Sequence, residues 1–114
     1  MDTFSLTGLA DDHLRRARAG TAGRSAHTLY GGHEHHLRQT LIALLGGQGL
    51  GEHESPGEAT LQVVRGRVRL VAGTASQELE EGQLVVIPPT RHALEAHEDS
   101  VVLLTTVKRL ELEA

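Results

Sequence analysis

From residue 25 onward, short apolar segments alternate with turn-forming residues at intervals of roughly 8–12 residues. No helix-length segment interrupts this pattern, which argues against alternating strands and helices around a parallel sheet. Regular turns between short apolar segments are typical of an all-β sandwich or barrel. The predicted strands span residues 25–30, 37–45, 59–65, 67–73, 76–80, 83–88, 91–96 and 100–112.

Residues 8–19 form a segment with the periodicity of an amphipathic helix. Thr7 is placed to cap its N-terminus, and we expect the helix to pack outside the β-domain through a narrow apolar stripe. The chain therefore divides into an N-terminal helix with its lead-in, residues 1–24, and a β-barrel domain, residues 25–114. The stripe consists of Leu9, Ala10, Leu14 and Ala17.

Gly66 separates two of the predicted strands, residues 59–65 and 67–73. The close connection at Arg65 and Gly66 predicts a hairpin between them. Apolar and polar residues alternate along both segments, which predicts one buried and one exposed face. The residues expected to point inward are Ala59, Leu61, Val63, Val68 and Leu70.

The composition excludes several classes of function. The chain has 114 residues and no cysteine, which excludes disulfides, zinc sites built from thiolates and a cysteine nucleophile. A formal net charge of −4, with one Phe, one Tyr and no Trp, argues against nucleic-acid binding. The sequence contains no run of about 18 apolar residues that would predict a membrane span, and the N-terminus does not look like a signal peptide. We therefore expect one cytoplasmic domain without nucleic-acid or membrane partners.

Four short segments carry a resemblance to a known family: HESPGE (53–58), VRGRV (64–68), EGQLVVIPP (81–89) and RHAL (91–94). Together they resemble the two sequence motifs of small single-domain, RmlC-like cupins, over roughly residues 37–108. The resemblance implies an all-β fold, the cupin double-stranded β-helix or jelly roll, here with one short N-terminal helix. It also implies that the protein is a homodimer.

The composition of residues 37–45 separately favours a homodimer. This run, LRQTLIALL, contains more apolar side chains than one inner face of a sheet needs. A small sandwich also leaves sheet edges that must be covered. We therefore expect a second copy of the chain to cover the remaining apolar surface.

The resemblance implies a metal site whose ligands are only partly present. His53 and His92 stand at two histidine positions of the family motifs, whereas Ser55 replaces the second histidine of the first motif. Ala59 stands at the position of the glutamate. Catalytic zinc or iron sites need about three protein ligands, so two imidazoles hold a divalent ion weakly. We expect no cofactor, and a weakly bound divalent metal on His53 and His92 stays an open alternative.

Other histidines offer a way to rebuild that site. His33, Glu34, His35 and His36 have the composition of a metal site, although a solvated hairpin tip is the interpretation that we favour. His27 lies on a predicted strand and could face the barrel. Either His27 or one of the loop histidines could complete a site with the two histidines of the motifs.

Strand alternation directs the two motif histidines into one cavity. The expected ligand pocket consists of His53, Ser55, Ala59, Leu61, His92 and Leu94.

The function expected from these residues is that of a small-molecule-binding or sensing cupin without a complete family metal site, with an unknown ligand in the barrel cavity. Two alternatives stay open. One is a metal-dependent cupin enzyme of the dioxygenase or isomerase type, with a site rebuilt from His53, His92 and another histidine. The other is a non-catalytic dimeric scaffold.

Overall fold

The computed structural model describes residues 1–54 and 57–107. These residues form one α-helix, α1 (Leu6–Ala19), and nine β-strands. The strands are β1 (Arg24–Tyr30), β2 (Leu37–Leu44), β3 (Gly49–His53), β4 (Ala59–Arg65), β5 (Arg67–Ala72), β6 (Ala75–Glu80), β7 (Leu84–Val86), β8 (His92–Ala96) and β9 (Ser100–Val107). No helix within the described residues is long and apolar enough to cross a membrane.

The strands form two antiparallel sheets, which confirms the all-β jelly roll with one short N-terminal helix. One sheet has five strands in the order β1-β2-β9-β4-β7, and the other has four in the order β3-β8-β5-β6. Aliphatic side chains from both sheets pack between them and form the main core. Its buried members are Ile42, Leu44, Ala59, Leu61, Val63, Val68, Leu70, Leu79, Ile87, Leu94, Ala96 and Val102.

Helix α1 begins two residues earlier than predicted, because Ser5 rather than Thr7 is its N-cap. The Gly8 backbone N–H donates to the Ser5 hydroxyl at 3.2 Å, which satisfies an amide that the helix itself leaves unpaired. At the other end, the Gly20 N–H donates to the Arg16 carbonyl oxygen at 3.0 Å. The buried residues of the helix are Ala10, His13, Leu14 and Ala17.

The buried face of α1 packs on the outer face of the five-stranded sheet. Leu41 and Ala43 of β2 contact the helix side, whereas Ile42 and Leu44 belong to the core between the sheets. The second half of β2, residues 41–44, is thus buried on both faces, which explains the unbroken apolar sequence there. The surplus apolar residues in the buried half of this run, Leu41 and Ala43, are therefore covered by the chain's own helix. They no longer argue for a homodimer, and the homodimer itself stays a prediction.

The predicted hairpin at Gly66 is wrong. Strand β4 pairs with β7 and β9, whereas β5 pairs with β6 and β8, so the chain crosses at Gly66 from one sheet to the other. Gly66 has φ +87°, and a Cβ atom there would lie 2.4 Å from Ser100 Oγ and 2.5 Å from the Asp99 carbonyl oxygen. Only glycine fits this crossover. The predicted alternation is confirmed, because all five residues expected to point inward are buried.

Strand β3 was not predicted, because its glycine-rich sequence carries no alternating pattern of side chains. Gly49 pairs with Glu95 of β8, and a Cβ atom on Gly49 would lie 2.5 Å from the Leu94 carbonyl oxygen. The absence of a side chain therefore lets β3 approach β8. This pairing brings His53, the last residue of β3, to the first residue of β8.

Candidate functional site

His53 and His92 lie side by side at one end of the four-stranded sheet. They are paired in the register of β3 and β8, and their ring centroids are 4.4 Å apart with an interplanar angle of 65°. His92 is only 4% exposed, whereas His53 is exposed. The histidine pair therefore connects the interior of the sandwich with solvent. The contact that we expected between the two side chains is present.

The hydrogen bonds of the pair fix the same tautomer in both neutral rings. His53 Nδ1 lies 2.8 Å from the Gly51 carbonyl oxygen, and His92 Nδ1 lies 2.9 Å from the Thr90 carbonyl oxygen. A carbonyl oxygen only accepts, so each Nδ1 carries the proton and donates it. Each Nε2 is then left with a free lone pair. Two Nε2 acceptors at one opening can bind a hydrogen-bond donor or a cation.

Arg91 ties the two strands of the pair together. Its Nε donates to Glu52 Oε1 at 2.7 Å, and its Nη1 donates to Glu54 Oε1 at 2.9 Å. The hydrogen bonds that Arg91 donates to Glu52 and Glu54 raise the pKa of Arg91 above its usual value. The two carboxylates that flank His53 are thus engaged by a guanidinium.

Three of the predicted pocket residues lie in the core between the sheets. Ala59, Leu61 and Leu94 are buried among the other aliphatic side chains of that core. Leu94 follows His92 by two residues on the same strand and points to the same side. Ser55 lies outside the described residues. The assignment of these residues to a ligand pocket stays a prediction.

An apolar pocket that the sequence pattern did not predict lies between β5, β6 and β7. In the register of β5 and β8, Val71 pairs with Ala93, and this is the last pair of the ladder before Ala72 and His92. Ala72 in turn pairs with Ala75 of β6. These two small side chains leave open a pocket of about 180 Å³ between the edges of the two sheets. It is lined by Leu70, Ala72, Ala75, Ser76, Gln77, Val85 and Pro88. Two alanines beside a tight turn at Gly73 were the sequence signal for this space.

His27 does not face the interior of the sandwich. It pairs with Leu41 on the outer face of the five-stranded sheet and stacks on His13 of α1, with ring centroids 5.5 Å apart. The hypothesis that His27 completes a site with His53 and His92 is therefore wrong. Strand alternation alone could not decide this, because it does not say which face of a sheet is inside.

The loop histidines do not supply a third ligand either. His35 stacks on Tyr30 with a centroid distance of 4.6 Å, and its Nε2 lies 3.8 Å from Glu34 Oε1. Within residues 1–54 and 57–107, no group of three or more His, Cys, Asp or Glu side chains is arranged to hold a metal ion. His53 and His92 therefore form a two-residue site in the part of the chain that the structure describes.

A larger cleft, of about 730 Å³, lies at the opposite end of the sandwich between α1 and the Gly66 crossover. Arg65 binds Asp11 across this cleft, and Arg18 binds Asp99 at 2.9 Å. The hydrogen bond from Arg65 lowers the pKa of Asp11, and the backbone hydrogen bond from Gly46, followed by the bond from Arg18, lowers that of Asp99. The charges in this cleft fasten the helix to the sandwich.

A family model for the cupin domain matches residues 40–108, which is more than half of the chain. A conserved protein of unknown function from Streptococcus pyogenes is 27% identical, with 99% of this chain and 90% of that chain covered and a TM-score of 0.73. None of the curated proteins matches the chain.

Two further solved structures share the fold at lower identity. A cupin superfamily protein from Desulfitobacterium hafniense DCB-2 is 15% identical, with coverage of 82% of this chain and 87% of that chain and a TM-score of 0.70. The DMSP lyase DddQ from Ruegeria pomeroyi DSS-3 is 18% identical, with coverage of 79% of this chain and 49% of that chain and a TM-score of 0.67. These two likenesses show the fold alone, and one fold can carry many functions. Since the family model spans most of both sheets and the jelly roll agrees with it, the chain belongs to the cupin family as a small single-domain member.

Proposed function

We propose that this cupin binds a small molecule at the open end of its sandwich, without a complete metal site of the family type. The observation that carries the proposal is the pairing of His53 and His92, whose Nε2 atoms are both left free by hydrogen bonds at Nδ1. Ala72, which lines the apolar pocket, directly follows Val71, and Val71 pairs with Ala93, the neighbour of His92 in the sequence. A polar group and an apolar space close to one another are what an amphipathic ligand requires.

The size of the pocket limits the ligand. An apolar cavity of about 150 Å³ can hold a benzene molecule, and the pocket here has about 180 Å³. The ligand class that fits is a small acid or alcohol with a compact apolar body. The apolar body would lie against Leu70, Ala72 and Val85, and its polar end would reach the imidazoles. A neutral imidazole accepts a hydrogen bond at Nε2, and a protonated one donates to a carboxylate.

The metal that the family implies fits this site poorly. The carbonyl hydrogen bonds at Nδ1 orient both rings as in metal-binding histidines. A third ligand is missing among the described residues, and Glu52 and Glu54 are held by Arg91. Two imidazoles bind a divalent ion weakly and leave its geometry undefined. We therefore assign no reaction step to a metal here.

The buried position of His92 argues against a pure scaffold. A histidine that is only 4% exposed loses hydration, and an aliphatic residue would fill the same place without that loss. A role for the Nε2 lone pair, which the hydrogen bond at Nδ1 leaves free, accounts for the histidine. Small-molecule binding is thus the function that the pair supports best.

Benzoate and cyclohexanol are suitable first probes, because each joins a compact apolar body to one polar group. Ligand-observed NMR and calorimetry should detect binding to the purified protein. His92→Ala should weaken the affinity by at least about tenfold, and Ala72→Leu should abolish binding by filling the pocket while the β-rich circular dichroism spectrum is kept. His97→Ala is the matched control, because His97 is an exposed histidine that pairs with Glu78 at 2.8 Å away from the pocket. No binding of either probe at millimolar concentration would contradict the proposed ligand class.

A metal titration separates the proposal from the enzyme alternative. Zinc and cobalt should bind weakly and should be removed by a chelator without loss of the fold. A stoichiometric metal that survives dialysis against a chelator, and whose removal unfolds the protein, would favour a metal-dependent enzyme instead.

A further inference from the structure

Helix α1 is attached to the sandwich by a small buried face. The structure describes the helix in full, and the side chains that it buries are Ala10, His13, Leu14 and Ala17. The sheet residues beneath them are Leu41, Ala43, Val101 and Leu103, a cluster separate from the core between the sheets. Two alanines and one leucine bury little apolar surface compared with that core. The helix should therefore leave the sandwich more easily than the two sheets leave one another.

Two ion pairs also hold the helix, and neither of them titrates in mild acid. Arg65 binds Asp11, and Arg18 binds Asp99 at 2.9 Å. The hydrogen bond from Arg65 lowers the pKa of Asp11 from 3.8, and the backbone hydrogen bond from Gly46 lowers that of Asp99. Both carboxyls thus stay charged well below neutral pH. These pairs are largely exposed, so each contributes little to the attachment.

His13 is the titratable member of the buried face. It is 6% exposed, and its Nδ1 lies 2.7 Å from Ser25 Oγ of β1. Its ring stacks on His27 of the same strand, with centroids 5.5 Å apart and an interplanar angle of 22°. The imidazole therefore lies within the contact between the helix and the sheet, where a change in its charge acts directly on that contact.

The surroundings of His13 disfavour a positive charge. The charged and titratable groups that face it are Arg16 and Asp12 of its own helix and His27 of β1. The side chains that β2, β4 and β9 contribute to the cluster under the helix are aliphatic. Burial, followed by Arg16 and His27, lowers the pKa of His13 from 6.5, and Asp12 raises it slightly. A released helix returns the imidazole to water, so the proton binds the released state more tightly. The attachment is fully present above about pH 6.5 and weakens as the pH falls below it.

We propose that α1 is an acid-sensitive latch, in which protonation of His13 releases the helix from the five-stranded sheet while the sandwich stays folded. A free helix of 14 residues is marginally stable in water, so the released segment loses much of its helicity. Its release uncovers the apolar side chains of β2 and β9 that it had covered. The latch lies on the outside of the sandwich, so the proposal does not depend on the ligand site.

Single cysteines can report the release, because the chain has no cysteine of its own. Ala17→Cys places a thiol under the helix, where the alanine is 1% exposed. Ala96→Cys is the matched control, because Ala96 is a 4% exposed alanine in the core between the sheets. Each thiol reacts with dithiodipyridine only when its own site opens. The ratio of the two labelling rates at each pH cancels the titration of the thiol itself.

The ratio of the Ala17→Cys rate to the Ala96→Cys rate should rise several-fold between about pH 7.5 and 5.5. One titrating imidazole limits the rise to about tenfold for each pH unit. Adding His13→Gln to Ala17→Cys should remove the rise, since glutamine takes up no proton. His33→Gln changes an exposed histidine outside the latch and should preserve the rise.

The proposal is overturned if the labelling ratio is the same at both ends of the pH range. It is also overturned if the rise persists in His13→Gln, because another group would then release the helix. An Ala96→Cys rate that increases as steeply as that of Ala17→Cys would mean that the whole domain opens, which contradicts a local latch. Should Ala17→Cys or His13→Gln fail to fold, Ala10→Cys and His13→Leu serve the same test with the same expected results.

Discussion

Arg91 Nε lies 2.7 Å from Glu52 Oε1 and thereby joins the segment before β8 to strand β3. Its Nη1 also donates to Glu54 at 2.9 Å, so the guanidinium bridges the two residues on either side of His53. His92 directly follows Arg91 in the sequence. The arginine therefore holds the two histidines beside one another through Glu52 and Glu54, and not through a hydrogen bond to either imidazole.

Replacing Arg91 by alanine should loosen the histidine pair without unfolding the protein. The two ion pairs are exposed, and exposed ion pairs contribute little to stability, so the thermal midpoint should stay close to that of the wild type. The nuclear Overhauser contacts between the two imidazole rings should weaken, and cobalt should bind less tightly. Arg69→Ala is the control, because it removes a pair with Glu95 on the same sheet. Unchanged ring contacts in Arg91→Ala would contradict this positioning role.

Gly66→Ala should destabilise the protein far more than Gly82→Ala. Both glycines have nearly the same backbone conformation, with φ +87° and +88°, but a Cβ atom at Gly82 would meet nothing within 4 Å. The change at Gly82 should cost about 1–2 kcal/mol of unfolding free energy, from the left-handed conformation alone. At Gly66 the overlap with Ser100 adds to this, and we expect a total above about 3 kcal/mol. Urea unfolding of both variants gives the comparison, and equal losses would show that the crossover tolerates a side chain.

The stability of the protein should fall in mild acid because of His13. This side chain is 6% exposed, and its Nδ1 lies 2.7 Å from Ser25 Oγ between α1 and β1. Burial, then the neighbouring charges of Arg16 and His27, lower its pKa from 6.5, while Asp12 raises it slightly. The unfolded chain then binds the proton more tightly than the folded one, so stability is highest above about pH 6.5 and declines as the pH falls below it.

Thermal midpoints measured between about pH 5 and 8 test this expectation. His13→Gln keeps a polar side chain near Ser25 but cannot be protonated, so its midpoint should vary less with pH than that of the wild type. His33→Gln, in the exposed loop after β1, is the control and should keep the wild-type dependence. A His13→Gln protein with the full wild-type slope would show that another group titrates.

Leu41→Ala should cost about as much stability as Leu44→Ala. Both side chains are fully buried, but Leu41 packs under α1 and Leu44 lies between the sheets. Each truncation should lower the unfolding free energy by about 2–5 kcal/mol. The loss at Leu41 should not depend on protein concentration, because the helix that covers it belongs to the same chain. A loss that appears only in dilute protein would mean that a second copy covers this part of the sheet.

The alternation of apolar residues predicted the faces of β4 and β5 correctly, because each strand has one side in the core. The same pattern led to the wrong prediction of a hairpin at Gly66. A glycine between two strands fits a hairpin and a change of sheet equally well, and only the pairing partners distinguish them. Strand β3 was not predicted, because Gly49 and Gly51 have no side chains that could show an alternation of apolar and polar residues.

The family motifs correctly brought His53 and His92 together, since the spacing from glycine and proline turns fixes where each strand begins. The pocket beside them was missed. Its walls come from β5, β6 and β7, and a space between side chains depends on how the two sheets face one another. His27 shows the same limit, because its strand was predicted correctly while its face was not.

The sequence by itself determined the all-β class, the single helix, the aliphatic core positions and the contact between His53 and His92. These follow from local periodicity and turn residues, which act over a few neighbouring positions. Only the tertiary structure decided that α1 covers the outer face of β2, that the Gly66 crossover joins two sheets, and that small side chains on β5 and β6 leave a pocket. Each of these depends on contacts between residues far apart in the chain. The apolar character of a residue predicts that it will be buried, but not which surface will bury it.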